Sequence, residues 1–324
     1  MIISLKRFRL CHFFVFVSIM ITYKTLAQNI KTPNNSPAIF LVVLGNVQDA
    51  GYPQIGCTKD CCKAYWQHQQ TKKLVTSLAL VDNTTNQYWL FEATPDISEE
   101  LQFVQHYTTK STSFQPAGIF ITHAHIGHYT GLMQLGREAL GAKNISVFTM
   151  PRLQTYLQNN GPWSQLVALN NIHLQKMQAD ETIALTASIS VTPILVPHRD
   201  EYSETVGFVI ATSRKKVLFI PDIDKWEKCD KSIIAEIAKV DIALIDGTFY
   251  ANGELPDRDM KEIPHPFVAE SLALFSNLPQ KDKAKIYFIH FNHTNPLLNS
   301  KSKERQDLLL KGFKAADQGL VIGM

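Results

Sequence analysis

The heptapeptide from Thr122 to His128 reads THAHIGH and contains three of the chain's 11 histidines. It follows an apolar segment, Ala117–Ile121, that predicts a buried strand, and it precedes a predicted helix at Tyr129–Leu140. Imidazole binds Zn, Fe, Mn and Ni, and a loop at a strand end can point several rings into one cavity. The heptapeptide therefore predicts a metal site. Its histidines are His123, His125 and His128.

Other metal-binding side chains also follow predicted strands. His198 comes after the strand predicted at Ile189–Val196, and Asp222 comes after the one predicted at Val217–Ile220. His290 and His293 follow Ile286–Ile289. Singly, each could be a core histidine or a loop carboxylate. Because ligands bind at the carboxyl ends of strands in open α/β sheets, we expect the group to assemble at one rim.

The remaining apolar segments alternate between strand and helix patterns. Further strands are predicted at Ile39–Leu44, Leu74–Val81, Gln87–Phe91, Ser146–Thr149, Thr205–Ala211 and Asp241–Ile245. Further helices are predicted from Asp96 towards Tyr107, with an Asp96/Glu99 capping box, and at Ser232–Ala238, Pro266–Phe275 and Ser302–Ala315. This alternation predicts a layered α/β fold. No internal linker marks a boundary, so one domain is expected over residues 39–324.

The N-terminus has the pattern of an export signal. Lys6, Arg7 and Arg9 precede a short apolar run, and small residues precede a cleavage point after Ala27. We predict a signal peptide at 1–27, a flexible lead-in at 28–38, and an exported, periplasmic or secreted protein. The apolar run is shorter than the roughly 20 residues of a spanning helix. No stable membrane insertion is therefore expected after cleavage, and an uncleaved anchor is the alternative.

The composition excludes several classes of protein. The chain has 324 residues, of which 45% are hydrophobic, and a formal net charge of +3. These values exclude a disordered chain and a collagen-like repeat. The predicted signal peptide carries four of the 32 basic residues and none of the 29 acidic ones, which leaves 28 against 29. No basic footprint for nucleic acid remains. A small-molecule substrate is the expected partner, and a homodimer is compatible with the sequence.

The order of the candidate ligands resembles the metallo-β-lactamase superfamily. Its pattern is HxHxDH, then a lone His, then an Asp after a strand, and then a final His. The resemblance covers nearly all of the chain after the signal and implies an αββα sandwich with a metal centre at one edge. The implied first site is His123, His125 and His198. The implied second site is His128 and His290, with Asp222 bridging the two.

Gly127 departs from that pattern, because it stands where the motif has its Asp. In the superfamily this carboxylate ligates the second metal and orients the nucleophilic water. The second site is therefore expected to be weaker, filled by a different carboxylate, or empty.

Several segments resemble the coenzyme PQQ synthesis protein B family within the superfamily. They are Leu44-Gly45 leading into Gly51–Gln54 and Cys57, the LxDGTF-like Leu244–Phe249, Ile263–Pro266, and His290–Pro296, which is similar to a His-x-Asn-Asn-Thr-Asn-Pro ending. The histidine loop agrees less well, since that family tends to keep the Asp-His end of the motif and lose the HxH end.

A cysteine cluster suggests a separate, structural metal site. A neighbouring group in the superfamily that this chain resembles, the cyclic-phosphate phosphodiesterase of phosphonate breakdown, keeps HxHxDH and adds a cysteine-bound structural zinc. Here Cys57, Cys61 and Cys62 could supply thiolates, with His293 as a fourth ligand. The spacing CxxxCC is not the usual CxCxxC, and in an exported protein a disulfide or free thiols are alternatives. Cys229 is expected to be a buried thiol.

The leading functional hypothesis is a metal-dependent hydrolase of phosphodiesters, esters or lactones. One or two Zn ions are expected, with Mn or Fe as alternatives, to activate water. Asp222 would hold the metals or the water. His265 would donate a proton to the leaving group, or else be a structural histidine.

Two other hypotheses stay open. The PQQ resemblance implies a non-haem iron oxygenase acting on a tyrosine-derived precursor, or a protein that handles that precursor. The missing Asp at position 127 favours a third hypothesis, a non-catalytic binding protein.

Overall fold

The computed structural model describes residues 37–199, 201–256 and 258–324. The predicted signal peptide, and the predicted lead-in up to residue 36, lie outside these ranges. The strands are β1 (Ile39–Gly45), β2 (Ser77–Asp82), β3 (Gln87–Phe91), β4 (Gly118–Phe120), β5 (Ile145–Thr149), β6 (Ile172–Lys176), β7 (Ile183–Ala184), β8 (Ile189–Leu195), β9 (Val206–Thr212), β10 (Lys216–Ile220), β11 (Ile242–Asp246), β12 (Ile286–Ile289), β13 (Lys314–Ala315) and β14 (Val321–Gly323). The α-helices are α1 (Asp60–Trp66), α2 (Ile97–Val104), α3 (Ile126–Tyr129), α4 (Pro151–Asn159), α5 (Trp163–Ala168), α6 (Ile233–Ala238), α7 (Val268–Leu274), α8 (Gln280–Lys283) and α9 (Lys303–Leu310). Short 3₁₀ helices lie at Thr130–Leu135, Trp226–Lys228, Met260–Glu262 and Pro296–Leu298.

The strands form two mixed sheets of seven strands each within the described residues. The first has the order β14-β1-β2-β3-β4-β5-β6, and the second has the order β13-β12-β11-β10-β9-β8-β7. Strands β3 to β6 pair in parallel in the first sheet, as do β10 to β13 in the second. Because β1 is two antiparallel pairings from β3, it runs in the same direction as β3.

Alternation along the strands builds three apolar layers. In β1, Leu41 and Val43 face the second sheet, where Phe208 and Phe219 belong to the same core cluster. Phe40 and its alternate neighbours pack instead with helices α2, α4 and α5. On the outer face of the second sheet, alternate residues of β10 to β12 pack with α6, α7 and α9. This αββα layering confirms the predicted fold, with both sheets buried on both faces.

Aromatic side chains join the two sheets. Phe91 of β3 stacks on Phe120 of β4, with ring centroids 5.1 Å apart. It also meets Phe208 of β9 edge-on at 5.5 Å. Such offset and edge contacts add about 0.5–1.5 kcal/mol each beyond buried area. The carboxyl ends of β3 and β4 are therefore fixed against the second sheet.

Most predicted strands are confirmed within a few residues, but the extents of two helices and one helix cap are corrected. The helix at Tyr129–Leu140 is wrong: α3 ends at Tyr129, and a 3₁₀ turn follows to Leu135. Gly131 packs its backbone on the chain beside α2, where a Cβ would lie 2.0 Å from Thr94 O. The helix predicted to end at Ala315 ends at Leu310, and Gly312 turns the chain with φ +91° into β13.

The capping box at Asp96 is also wrong. The Asp96 side chain makes no cap hydrogen bond. Its carboxylate instead accepts from Lys72 Nζ at 2.5 Å and from Val75 N at 2.9 Å. Asp96 therefore ties α2 to the chain before β2. No helix among the described residues is both long and apolar enough to cross a bilayer.

We expect Glu100→Gln to reduce the pH dependence of stability. Glu100 of α2 is fully buried and accepts a hydrogen bond from Thr94 Oγ1 at 2.9 Å. Burial raises the pKa of Glu100 to about 8. The unfolded carboxyl ionises near its ordinary pKa of about 4.3. The folded state therefore holds this proton to higher pH, so its contribution to stability falls as pH rises between these two values.

Denaturant unfolding at about pH 5 and about pH 8 measures the effect, at roughly 1.4 kcal/mol per pKa unit. The wild-type protein should lose more stability over this interval than Glu100→Gln does. Glu99→Gln is the matched control, since the Glu99 side chain on the same helix is 56% exposed. A Glu100→Gln variant with the wild-type pH slope would contradict the assignment.

Candidate metal centre

The histidine loop leaves β4 at the edge of the first sheet and is held from both sides. Val206 N, at the start of β9, donates to Thr122 O at 3.1 Å. Ser203 Oγ accepts from Ala124 N at 2.8 Å. Thr122 Oγ1 donates to Glu92 Oε1 at 2.6 Å. The loop backbone is therefore fixed before any ligand binds.

Four side chains bring one donor atom each to a common point. They are His123, His125, His198 and Asp222, whose donor atoms all lie within 4.8 Å of one another. His125 Nδ1 lies 2.8 Å from His123 Nε2 and 3.2 Å from His198 Nε2. Asp222 Oδ2 lies 3.2 Å from His198 Nε2. Tetrahedral zinc with bonds of about 2.0–2.1 Å needs ligand atoms about 3.3 Å apart. The distances to His198 and Asp222, 3.2–3.4 Å, match this value, and the His123–His125 distance of 2.8 Å is shorter.

Hydrogen bonds to the far side of each ring fix which nitrogen is free. The single proton of Thr122 Oγ1 goes to Glu92, so the hydroxyl accepts from His123 Nδ1 at 2.9 Å. His198 Nδ1 donates to Asp224 Oδ1 at 3.1 Å. Both rings then present an unprotonated Nε2 to the common point. His125 is reversed, because its Nε2 lies 3.4 Å from Glu201 Oε2 and its Nδ1 faces the other two rings. Such outer partners orient metal-binding histidines.

A second donor set shares Asp222. It consists of Asp49, His128, Asp222 and His290. Asp49 Oδ1 lies 3.2 Å from His128 Nε2 and 3.4 Å from His290 Nε2. Thr248 Oγ1 donates to Asp246 Oδ1 at 2.7 Å, and it therefore accepts from His290 Nδ1 at 2.9 Å.

The second set also contains buried polar atoms without hydrogen bonds. His128 Nε2, His290 Nε2 and Asp222 Oδ1 are buried and have no hydrogen-bond partner among the described residues. Buried polar atoms are almost always paired. The two histidine nitrogens lie 3.2–3.6 Å from carboxylate oxygens, Asp49 Oδ1 for both and Asp222 Oδ2 for His128, and this convergence without hydrogen bonds fits a cation at the centre. The residues present therefore fit a metal ion at each set.

Charge in this cavity is mutually stabilised. Burial alone would raise the pKa of the Asp222 carboxyl, but the neighbouring imidazoles of His198 and His265 hold it well below its usual range. Burial and the neighbouring His128 lower the pKa of His123 well below its usual value. A neutral His123 beside an ionised Asp222 is the protonation state that a metal ion requires.

His265 lies at the edge of the second donor set. Its Nδ1 is 2.8 Å from Asp246 Oδ2 and 3.2 Å from Asp222 Oδ1. Burial opposes the charged imidazole, but Asp246 and Asp222 together raise the pKa of His265 to about 9. His265 Nε2 has no hydrogen-bond partner among the described residues. The ring is thus positioned as a protonated group with one free N–H.

The cysteine cluster forms a separate donor set. Cys57, Cys61, Cys62 and His293 have ligand atoms within 4.8 Å of one another. The sulfurs of Cys57 and Cys61 are 3.6 Å apart, well beyond a disulfide bond of about 2.05 Å. Burial raises the pKa of the Cys62 thiol to about 12. Cys229 is a partly buried free thiol against the core beside α6.

The structure brings together every ligand that the sequence proposed for the two sites, and it adds residues that the sequence did not indicate. Asp49 joins the second set from the loop after β1, and no local motif marked it. Glu92 and Asp224 follow β3 and β10 in the same way as the predicted ligands, so their position was a usable signal. Asp246 lay within the LxDGTF-like segment but had no assigned role.

Comparison with known proteins places this arrangement in a family. The family model described as "Beta-lactamase superfamily domain" matches residues 88–291, which contain the histidine loop, His198, Asp222 and His290. The chain belongs to the metallo-β-lactamase superfamily. Within that superfamily it is similar to coenzyme PQQ synthesis protein B of Methylorubrum populi. The two are 24% identical over 308 residues, covering 88% of this chain and 99% of the relative.

Solved structures of the superfamily show the same fold. Zn²⁺-bound PqqB from Methylobacterium extorquens superposes with a TM-score of 0.74 at 22% identity, covering 88% of this chain and 100% of that one. A diphosphatase from the PhnP family gives a TM-score of 0.58 at 20% identity, covering 88% and 96%. The metallo-β-lactamase fold is thus established for this chain, and its donor sets fit a metal ion.

We expect Asp224→Asn to weaken metal retention without removing a ligand. Asp224 fixes the His198 ring through Nδ1, and loss of such a partner typically costs about 10–100-fold in metal affinity. Competition with a chromophoric chelator measures the change. Asp230→Asn is the matched control, because Asp230 is exposed nearby in sequence. Equal affinities of Asp224→Asn and wild type would contradict the role given to Asp224.

Proposed function

We propose that this protein is a metal-dependent hydrolase, with phosphodiesters as the leading substrate class and esters or lactones as alternatives. The observation that carries the proposal is the pair of donor sets joined at Asp222. Two-metal sites of this kind are common in enzymes that displace a leaving group with water. A diphosphatase from the PhnP family has a similar fold, which supports a hydrolase that acts on a phosphate compound.

The metal supplies an acidified water near neutral pH and stabilises developing negative charge. We propose Zn as the resident ion, with Mn or Fe as alternatives. His123, His125 and His198 would hold one ion. Asp222 would be shared with a second ion at His128 and His290.

The chain's own groups would position the leaving group. Asp246 accepts from His265 Nδ1 and holds the ring in one orientation. The free N–H at Nε2 can then donate a proton to a departing oxygen. A positioned acid of this kind contributes about 10²–10⁴-fold.

A substrate panel tests the hydrolase. Metal-free protein reconstituted with Zn or Mn is assayed against bis(p-nitrophenyl) phosphate, p-nitrophenyl acetate and a lactone. We expect turnover that His125→Ala abolishes and that His173→Ala leaves intact, since His173 is an exposed histidine on β6. Activity of His125→Ala equal to that of the wild-type protein would contradict the proposal.

We expect the effect of His265→Gln to depend on the leaving group. An alkoxide needs protonation as it departs, whereas p-nitrophenolate does not. The variant should therefore lose far more kcat on an alkyl phosphodiester than on bis(p-nitrophenyl) phosphate, while its metal content stays unchanged. An equal loss on both substrates would show that His265 acts only as a structural residue.

A second candidate function is favoured by the full-length similarity to coenzyme PQQ synthesis protein B. It would be an iron- and O₂-dependent oxygenase or a protein that handles a PQQ precursor. Anaerobic purification followed by metal analysis separates the two candidates. Stoichiometric iron with O₂ uptake favours the oxygenase, and zinc with hydrolysis favours the hydrolase.

Two further assignments complete the proposal. Cys57, Cys61, Cys62 and His293 would hold a structural zinc, supported by the short distances among their donor atoms. His293 Nδ1 donates to Asn292 Oδ1 at 3.1 Å, which leaves Nε2 for the metal. Export to the periplasm or beyond rests on the sequence of residues 1–27 alone.

A further inference from the structure

The loop after β1 delivers a carboxylate to the second donor set. β1 runs in the same direction as β3, and its end is pinned to the end of β12. Phe291 N donates to Asn46 O at 2.9 Å, and Gln48 N donates to Phe291 O at 2.9 Å. Because Phe291 directly follows His290, this pairing brings the next residue of the loop, Asp49, to the His290 ring. The position of Asp49 is therefore set by backbone hydrogen bonds.

The backbone conformation at Gly127 does not require glycine, so its lack of a side chain has another cause. It lies in the helical turn α3, and its φ is not among the positive values that favour glycine. A Cβ at position 127 would lie 2.5 Å from Asp49 Cγ and 2.6 Å from both Asp49 Oδ1 and Asp49 Cα. Asp49, with its Cα as well as its carboxylate, thus occupies the space into which a side chain at 127 would project.

Asp49 also makes the contacts with the second donor set that the motif's Asp at position 127 would make. Its Oδ1 is within 3.4 Å of the free Nε2 atoms of both His128 and His290. Those two nitrogens are buried and lack hydrogen bonds. The Asp49 side chain is 22% exposed, so the site remains open to solvent on this side.

We infer that Asp49 is the terminal carboxylate ligand of a second metal ion, and that the motif's carboxylate has moved from position 127 to the loop after β1. The second site is then complete, with Asp49, His128 and His290 around the shared Asp222. This inference rests on the proposed metal centre but not on any substrate. It replaces a weakened or empty second site with a four-residue one.

Metal counting tests the inference separately from activity. Metal-free wild type and Asp49→Asn are loaded with Zn, dialysed, and analysed by plasma mass spectrometry and chelator competition. Asn keeps the size of the side chain but loses its charge. We expect Asp49→Asn to lose one equivalent relative to wild type, or to bind it at least tenfold more weakly. Asp230→Asn should match wild type.

Gly127→Ala provides an independent arm, because it removes no ligand. Alanine is favoured over glycine in a helix by about 1 kcal/mol, but its methyl group would displace Asp49. We expect Gly127→Ala to lose the same equivalent, and to add no further loss in the Asp49→Asn background. Ile126→Ala, at an exposed position of the same turn, should keep the metal.

The outcomes separate the two proposals. A full metal count in folded Asp49→Asn would overturn the role of Asp49 while leaving the metal centre standing. Wild type that binds no metal at His123, His125 and His198 would overturn both. If Gly127→Ala does not fold, the count for Asp49→Asn decides alone.

Discussion

The buried carboxylate of Asp222 is the group on which the rest of the site depends. It is 4% exposed and follows β10 of the second sheet. A buried charge is costly unless it is paired, and partners are available here only because histidines converge on it from both sheets. His123 and His128 come from the first sheet, and His198 and His265 come from the second. The αββα fold is therefore the scaffold that makes one ionised carboxylate tolerable at its edge.

The convergence of histidines on Asp222 also explains the hydrogen bonds that orient their rings. Each ring must present an unprotonated nitrogen to the centre, so its other nitrogen needs a dedicated acceptor. Thr122, Asp224 and Thr248 serve His123, His198 and His290 in this way. His128 is the exception, since its Nδ1 lies 3.1 Å from Glu92 Oε1 without forming a hydrogen bond. Two of these acceptors, Thr122 and Thr248, are themselves oriented by a carboxylate, which propagates the order outward from the centre.

The sequence was sufficient for ligands that follow a strand and that fit a continuous motif. The ends of β4, β8, β10 and β12 could be recognised as apolar runs followed by His or Asp; these runs predicted a layered α/β fold and the residues that gather at its edge, and the resemblance supplied the αββα arrangement. Asp49 could not be found in that way. Its role depends on the pairing of residues 46–48 with Phe291, which are more than 240 positions apart in the chain. The helix at Tyr129–Leu140 failed for a similar reason, because contact of Gly131 with the chain beside α2 overrides local helix propensity.

The most direct test of this account is anomalous diffraction at the zinc edge from crystals of the metal-loaded protein. We expect two peaks, one on each side of Asp222. One should lie among His123, His125 and His198, and the other among Asp49, His128 and His290. A zinc at the cysteine cluster would appear at a separate position. A single peak beside Asp222, with Asp49 turned away from His128 and His290, would contradict the second site, and no peak there would contradict the metal centre itself.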